Sequence, residues 1–378
     1  MAEVGTPDAF DHVRQNATTL IQSGQRLEAA QLLLETLGSI PPDRADLAYP
    51  AIGCFQLLAF TNEYLMSEVE CIALYDQSLH DDTNEMHRLI ALLMRYMDDQ
   101  GLTQEQANEC SRELHVLTRS EHQAVSLGAL FVRSDPYYFY DTKLGQQARE
   151  EIVTRFPTTY LAREAQRLNF YTARRQGAAG LKETLELTDD EGRLRAHTLR
   201  MRADPVGNAL YQAVQGQGDK DAACVTALAT AADEAESWED EYAALNILDG
   251  FAETANATLT RDAASRAISR DRDPRCTFRA LTLRLAADRR LGDSDALIAD
   301  VYALLATDDI PIVADRNNYE ELRNHVQHAA EFLATQGRID TACDVLDRLA
   351  ARFPNTLLAS KLTDRVAELK TPEASAAE

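Results

Sequence analysis

Glycine and proline interrupt this chain at intervals of one or two helices, and almost every stretch between the interruptions carries helical periodicity. The breaks are Gly24, Pro41-Pro42, Gly101, Pro136, Pro157, Gly177, Pro205, Gly218, Pro274, Gly292, Pro311, Gly337 and Pro354. Between them, His87 to Met97 puts Leu89, Ile90, Leu92, Leu93, Tyr96 and Met97 on one broad face, as in a helix packed on more than one side. Cys276 to Leu291 repeats the pattern, with Phe278, Leu281, Leu285 and Ala287 predicted inward and Arg279, Arg284 and Arg289 outward. β-Branched residues are sparse, and Asp249-Gly250, the only hairpin-type dipeptide, falls inside a helical pattern. The fold class is therefore all-α. The linkers are too short for independent domains, which predicts one continuous array of stacked helical pairs over residues 9–369. A flexible segment (1–8) is expected before it and a disordered small-residue tail (370–378) after it.

Two segments far apart in the chain match. Gly24-Gln-Arg-Leu-Glu-Ala29 is followed by Leu33 and Pro41, and Gly337-Arg-Ile-Asp-Thr-Ala342 by Leu346 and Pro354 at the same spacings. Ahead of each, a small residue precedes a leucine by three positions: Ala17 and Leu20, Ala330 and Leu333. A weaker third copy begins at Gly218. A second match joins Arg155-Phe156-Pro157-Thr-Thr159-Tyr-Leu161-Ala162 to Arg352-Phe353-Pro354-Asn-Thr356-Leu-Leu358-Ala359, identical at six of eight positions. The small residues let paired helices approach closely, and the prolines end one unit and turn the chain into the next.

This pattern resembles the tetratricopeptide repeat, most clearly over residues 10–43 and 323–356, with a diverged middle. The resemblance implies a right-handed α-α superhelix of stacked hairpins, a solenoid whose concave face holds a partner's peptide or helix. The tetratricopeptide modules that grip chaperone C-termini use Lys and Asn on their first helices. Arg14, Gln15 and Thr18, and Gln327, His328 and Glu331, stand in the comparable positions and lack that set.

A net charge of −23 over 378 residues argues against general nucleic-acid binding, because phosphates are repelled. The six cysteines (Cys54, Cys71, Cys110, Cys224, Cys276 and Cys343) never pair as CxxC, so they read as buried free thiols in a reducing compartment. The N-terminus has neither the basic region nor the apolar core of a signal peptide, and no apolar run is long enough to span a membrane. A cytoplasmic location is expected.

Catalytic signatures such as GxSxG, HExxH, a Walker loop or a dinucleotide fingerprint are absent from the sequence. Gly216-Gln-Gly218-Asp-Lys220 reads as a helix-to-helix turn rather than a phosphate loop. His80-Asp81-Asp82 with Glu85 and His87 is metal-like in composition, yet Asp82 and Glu85 also suit a capping box. His325 and His328 offer only two nitrogens to a metal. No cofactor or metal is expected.

Two stretches are candidate partner-binding surfaces. Asp135-Pro136-Tyr137-Tyr138-Phe139-Tyr140-Asp141 concentrates aromatics in a chain poor in them, so Tyr137, Tyr138 and Tyr140 are candidates to line a peptide groove. Residues 261–290 hold nine arginines against four aspartates, and Arg266, Arg270, Arg275 and Arg279 are candidates to dock an acidic partner. The competing reading is internal pairing, such as Asp262 with Arg266 and Arg284 with Asp288. Trp238, within the acidic run Glu234 to Glu241, reads as the start of a helix.

The sequence thus favours a non-enzymatic scaffold or adaptor binding a protein or peptide partner. A ligand- or peptide-sensing regulatory solenoid and an α/α-toroid enzyme using paired carboxylates are the alternatives. Under the arginine-patch reading, Arg270→Glu with Arg279→Glu is expected to weaken partner binding without lowering thermal stability. Oligomeric state is not legible in the sequence.

Overall fold

The structure is a computed structural model that describes residues 6–61, 84–97, 104–134, 142–188, 191–251, 256–307 and 318–371. These residues form helices, with no strand among them beyond an isolated Thr188–Leu194 bridge. The first group comprises α1 (Pro7–Gln22), α2 (Arg26–Gly38), α3 (Ala48–Phe60), α4 (Glu85–Met97), α5 (Gln104–Leu117), α6 (Gln123–Ser134), α7 (Thr142–Arg155) and α8 (Tyr160–Ala173). The second comprises α9 (Gly177–Leu185), α10 (Ala196–Ala203), α11 (Pro205–Gln215), α12 (Lys220–Glu234), α13 (Trp238–Leu248), α14 (Ala257–Arg270), α15 (Pro274–Leu291) and α16 (Ser294–Leu305). The last comprises α17 (Asn318–Thr335), α18 (Ile339–Arg352) and α19 (Leu357–Lys370).

By its internal contacts the chain divides into two compact units. The first is Met1–Ala165, Ile312–Glu320 and Ala350–Thr363; the second is Gln166–Pro311, Glu321–Leu349 and Asp364–Glu378. Each is a stack in which helices pack mainly on their chain neighbours, the packing an all-α solenoid requires. Some contacts in the first unit join residues far apart in the chain. Arg26 donates to the Asn355 carbonyl at 3.2 Å, and the Phe60 ring meets Tyr319 and Phe353 at 5.4 and 5.2 Å between centroids.

The breaks act as helix punctuation. Gly24 and Gly337 are left-handed, with φ of 83° and 75°, and close α1 and α17 by the same pair of bonds. Gln25 N–H donates to Leu20 O at 2.8 Å and Gly24 N–H to Ile21 O at 2.9 Å. Arg338 N–H to Leu333 O (2.9 Å) and Gly337 N–H to Ala334 O (3.0 Å) repeat the scheme. The second matched pair also shares a geometry: Thr159 and Thr356 each donate to the preceding phenylalanine carbonyl and accept from the amide of Ala162 or Ala359. Pro205 and Pro274 start helices rather than merely ending them. Each follows an N-cap aspartate, Asp204 or Asp273, whose carboxylate accepts the free amides of the first turn. Helix α1 likewise begins at Pro7, inside the segment expected to be flexible, and α19 runs to Lys370. The tail beyond residue 371 lies outside the described residues.

The core is built from small and branched apolar side chains. Ala17, Ala29, Leu33, Leu333 and Ala342 have no exposed surface, and Ala330 and Leu346 have almost none. The five described cysteines are free and buried, and burial pushes the Cys54 and Cys224 thiols up to about 12. They act as small core residues; Cys71 lies outside the described residues. No helix of the described residues is long and apolar enough to cross a membrane. Because Ala342 is fully enclosed, Ala342→Leu is expected to cost about 1–3 kcal/mol by overpacking, read as a lower urea midpoint.

Candidate functional site

The predicted site residues fare differently. Tyr137, Tyr138 and Tyr140 lie outside the described residues. The four arginines are all in place, and all are engaged by the protein itself. Arg266 and Arg270, on α14, converge on Asp233 at the end of α12, and Arg270 also donates to Glu241 at 2.7 Å. Arg275 chelates its own helix cap, Asp273, at 2.7 Å and lays its guanidinium 3.4 Å above the Trp238 ring. The structure thus brings together Arg275 and Trp238, which sequence spacing kept apart.

Arg279 overturns its predicted orientation. It has no exposed surface, and its guanidinium meets both oxygens of Glu321 on α17 at 2.7 and 3.0 Å. Arg284 pairs with Asp300 on α16 rather than with Asp288, and Arg266 with Asp233 rather than with Asp262. The reason is packing. Helix α15 lies against α13, α14 and α16, so it is buried nearly all round and its cations reach across helices instead of along one.

The described members of the metal-like candidates make ordinary structural contacts. Asn84 caps α4, accepting from the Met86 and His87 amides at 3.0 and 3.2 Å. His87 Nε2 lies 3.1 Å from the Leu34 carbonyl, and His80 to Asp82 lie outside the described residues. His325 Nε2 lies 3.7 Å from Glu321. No group of three potential ligands converges among the described residues. Gly218 is a turn, left-handed at φ 91°, from which Asp219 caps α12.

Asp288 is the unusual ionisable group. It is fully buried on α15, neither oxygen accepts a hydrogen bond, and the nearest cation, Arg261 on α14, is 3.7 Å away. Desolvation first, and then the Asp300 charge, push its pKa up to about 7.

One concavity lies elsewhere in the second unit, where α11, α12 and the start of α13 border a groove of about 610 Å³. Val206, Ala209, Ala227 and Ala231 line its apolar part, and Glu234, Glu236 and Asp240 its polar end. Ala227 and Ala231 are one turn apart on α12, and Ala209 stands on α11, so short side chains leave the seam between the helices unfilled. The two helix starts that border it are fixed from below. Asp204 caps α11 and Ser237 caps α13, and buried Arg167 on α8 binds the Asp204 carboxylate at 3.1 Å, the Asp240 carboxylate and the Glu239 carbonyl. Gly207 permits the approach of α10, since a methyl there would overlap the Met201 carbonyl oxygen. Sequence reasoning read Glu234 to Glu241 only as a helix start. The signal it passed over was the run of small residues in α12, with alanines at one-turn spacing ahead of that acidic segment.

Two outcomes follow for the charged core. Arg279→Glu is expected to lower stability by about 3–5 kcal/mol, since it sets two carboxylates together in a dry site, reversing the expectation that this substitution spares stability. Arg266→Glu, half-exposed, is expected to cost about 1 kcal/mol or less. Thermal melts of the two variants separate these cases. For Asp288, the folded chain holds its proton more tightly than the unfolded chain does. Its contribution is therefore fully present below the ordinary carboxylate pKa of 3.8 and is lost as pH rises through about 7. Asp288→Asn is expected to raise the unfolding midpoint by about 4–8 °C at pH near 8, with a gain that shrinks steadily toward pH near 5.

No protein-family model, curated protein or solved structure matches the chain.

Proposed function

We propose that this protein is a non-enzymatic adaptor, a tetratricopeptide-like helical array that holds a partner's peptide or helix in the groove between α11 and α12. The groove itself carries the reading. Its walls are two capped helices, its apolar lining is made of short side chains, and its helix starts are tied to a buried arginine. A preformed cleft of this kind binds without first ordering itself, so more of the contact energy appears as affinity. The matched turns at Gly24 and Gly337 and the paired Arg-Phe-Pro junctions support the repeat character. In this reading the arginines of α14 and α15 brace the array. Arg266, the most exposed of the four, pairs with Asp233.

The test is selection of binders from a random peptide library displayed on phage, followed by titration of the selected peptides. Ala231→Trp fills the groove from a half-buried position and is expected to weaken binding by about tenfold or more with an unchanged melting temperature. Affinity that ignores Ala231→Trp and Ala227→Leu alike sinks this reading.

A further inference from the structure

The groove's two ends differ in chemistry. Along α11 and α12 the lining is mainly apolar, with Asn208 and Thr230 among the small side chains, but at the C-terminus of α12 and the start of α13 it presents Glu234, Glu236 and Asp240, with no lysine or arginine among its lining residues. The carboxylates around it are already neutralised. Asp233 is held by Arg266 and Arg270, Glu241 by Arg270 and Arg272, and Asp240 by Arg167. Glu234 and Glu236 are the exceptions: both are exposed, and neither forms an ion pair among the described residues. The protein thus spends its local arginines on the neighbouring acids and leaves two carboxylates at the mouth of a mainly apolar cleft.

We propose that the segment this groove receives is cationic: a lysine- or arginine-bearing stretch of a partner protein whose aliphatic stem lies over Ala227 and Ala231 and whose charge sits between Glu234 and Glu236. The inference rests on the groove reading above and adds the chemistry of its occupant. Long basic side chains suit both ends of the cleft, because the methylene stem covers apolar surface while the head stays at the wet rim. Field lines from the two unpaired carboxylates are concentrated by the low-dielectric helical walls, on a chain whose net charge is already −23. An acidic segment would meet that field with repulsion, and a neutral one would leave it unanswered.

The experiment uses the full chain and the same random peptide library, with Glu234→Gln combined with Glu236→Gln as the second variant. That pair keeps the shape of the rim and removes its charge. Selected peptides are expected to be enriched in Lys or Arg beside small or apolar residues. The double variant is expected to weaken them about fivefold to tenfold at low salt, with a difference that collapses as salt rises and the screening length shortens. Neutral or acidic peptides that still depend on Ala231, or affinity unchanged by the double variant, would overturn the cationic occupant while leaving the groove reading intact. A library that yields no binder, or binders indifferent to Ala231→Trp, overturns both.

Discussion

Arg167 is the point on which the architecture of the second unit turns. A guanidinium with almost no exposed surface has given up its hydration, and strong acceptors must offset that loss. Its two terminal nitrogens find them at the starts of two different helices: the Asp204 carboxylate that caps α11, and the Asp240 carboxylate and Glu239 carbonyl at the head of α13. The same aspartate therefore satisfies free amides above and a buried cation below. Neither helix start can move without exposing an unpaired charge to an apolar interior. Arg167 thereby fixes the starts of α11 and α13, the two helix ends that border the cleft.

Arginine repeats this role through the unit. Arg174, just past α8, donates to the side chain of Asn246 at 2.9 Å and reaches Asp249, joining the same pair of segments seven residues further along. Arg279 ties α15 to Glu321, and Arg284 ties it to Asp300. The planar fork matches a carboxylate through two bonds at once, which a lysine ammonium does not, and the chain has only five lysines. Asp288 stands apart because its neighbours are already committed. Arg284 points to Asp300, and Arg261, at 3.7 Å, is divided between Asp288 and Asp293. A carboxyl in that position is easiest to keep by holding its proton, so the electrostatics of α15 change within the physiological pH range.

Local signals made the helices legible in the sequence. Gly24 and Gly337 end helices because a left-handed residue is needed to close that turn, and Asp204-Pro205 and Asp273-Pro274 start them because cap and fixed φ act within one turn. The orientation of α15 was not legible. Its arginines have the spacing of a solvated face, and only the presence of helices on several sides turns that face inward. The division into two units and the contact of Arg26 with Asn355 depend on separations of hundreds of residues, which no local pattern encodes. The groove was half legible. Its alanines and its acidic end are visible as neighbouring runs, but their meeting at one cleft requires the register of three helices.

The internal pairing also changes what the net charge means. Read from composition, −23 describes a uniformly repulsive surface, and the nine arginines of residues 261–290 look like a basic island within it. In the fold, that island is largely consumed: Arg266 and Arg270 are matched to Asp233, Arg272 to Glu241, Arg275 to Asp273, and Arg279 and Arg284 to Glu321 and Asp300. Cations buried or bonded in this way project little field into solvent, so the exterior around them is more acidic than a count of arginines suggests. Recognition by such a surface depends on which carboxylates are left over and whether they sit in a concavity. At the end of α12 those conditions coincide, one residue beyond an aspartate that two arginines already hold.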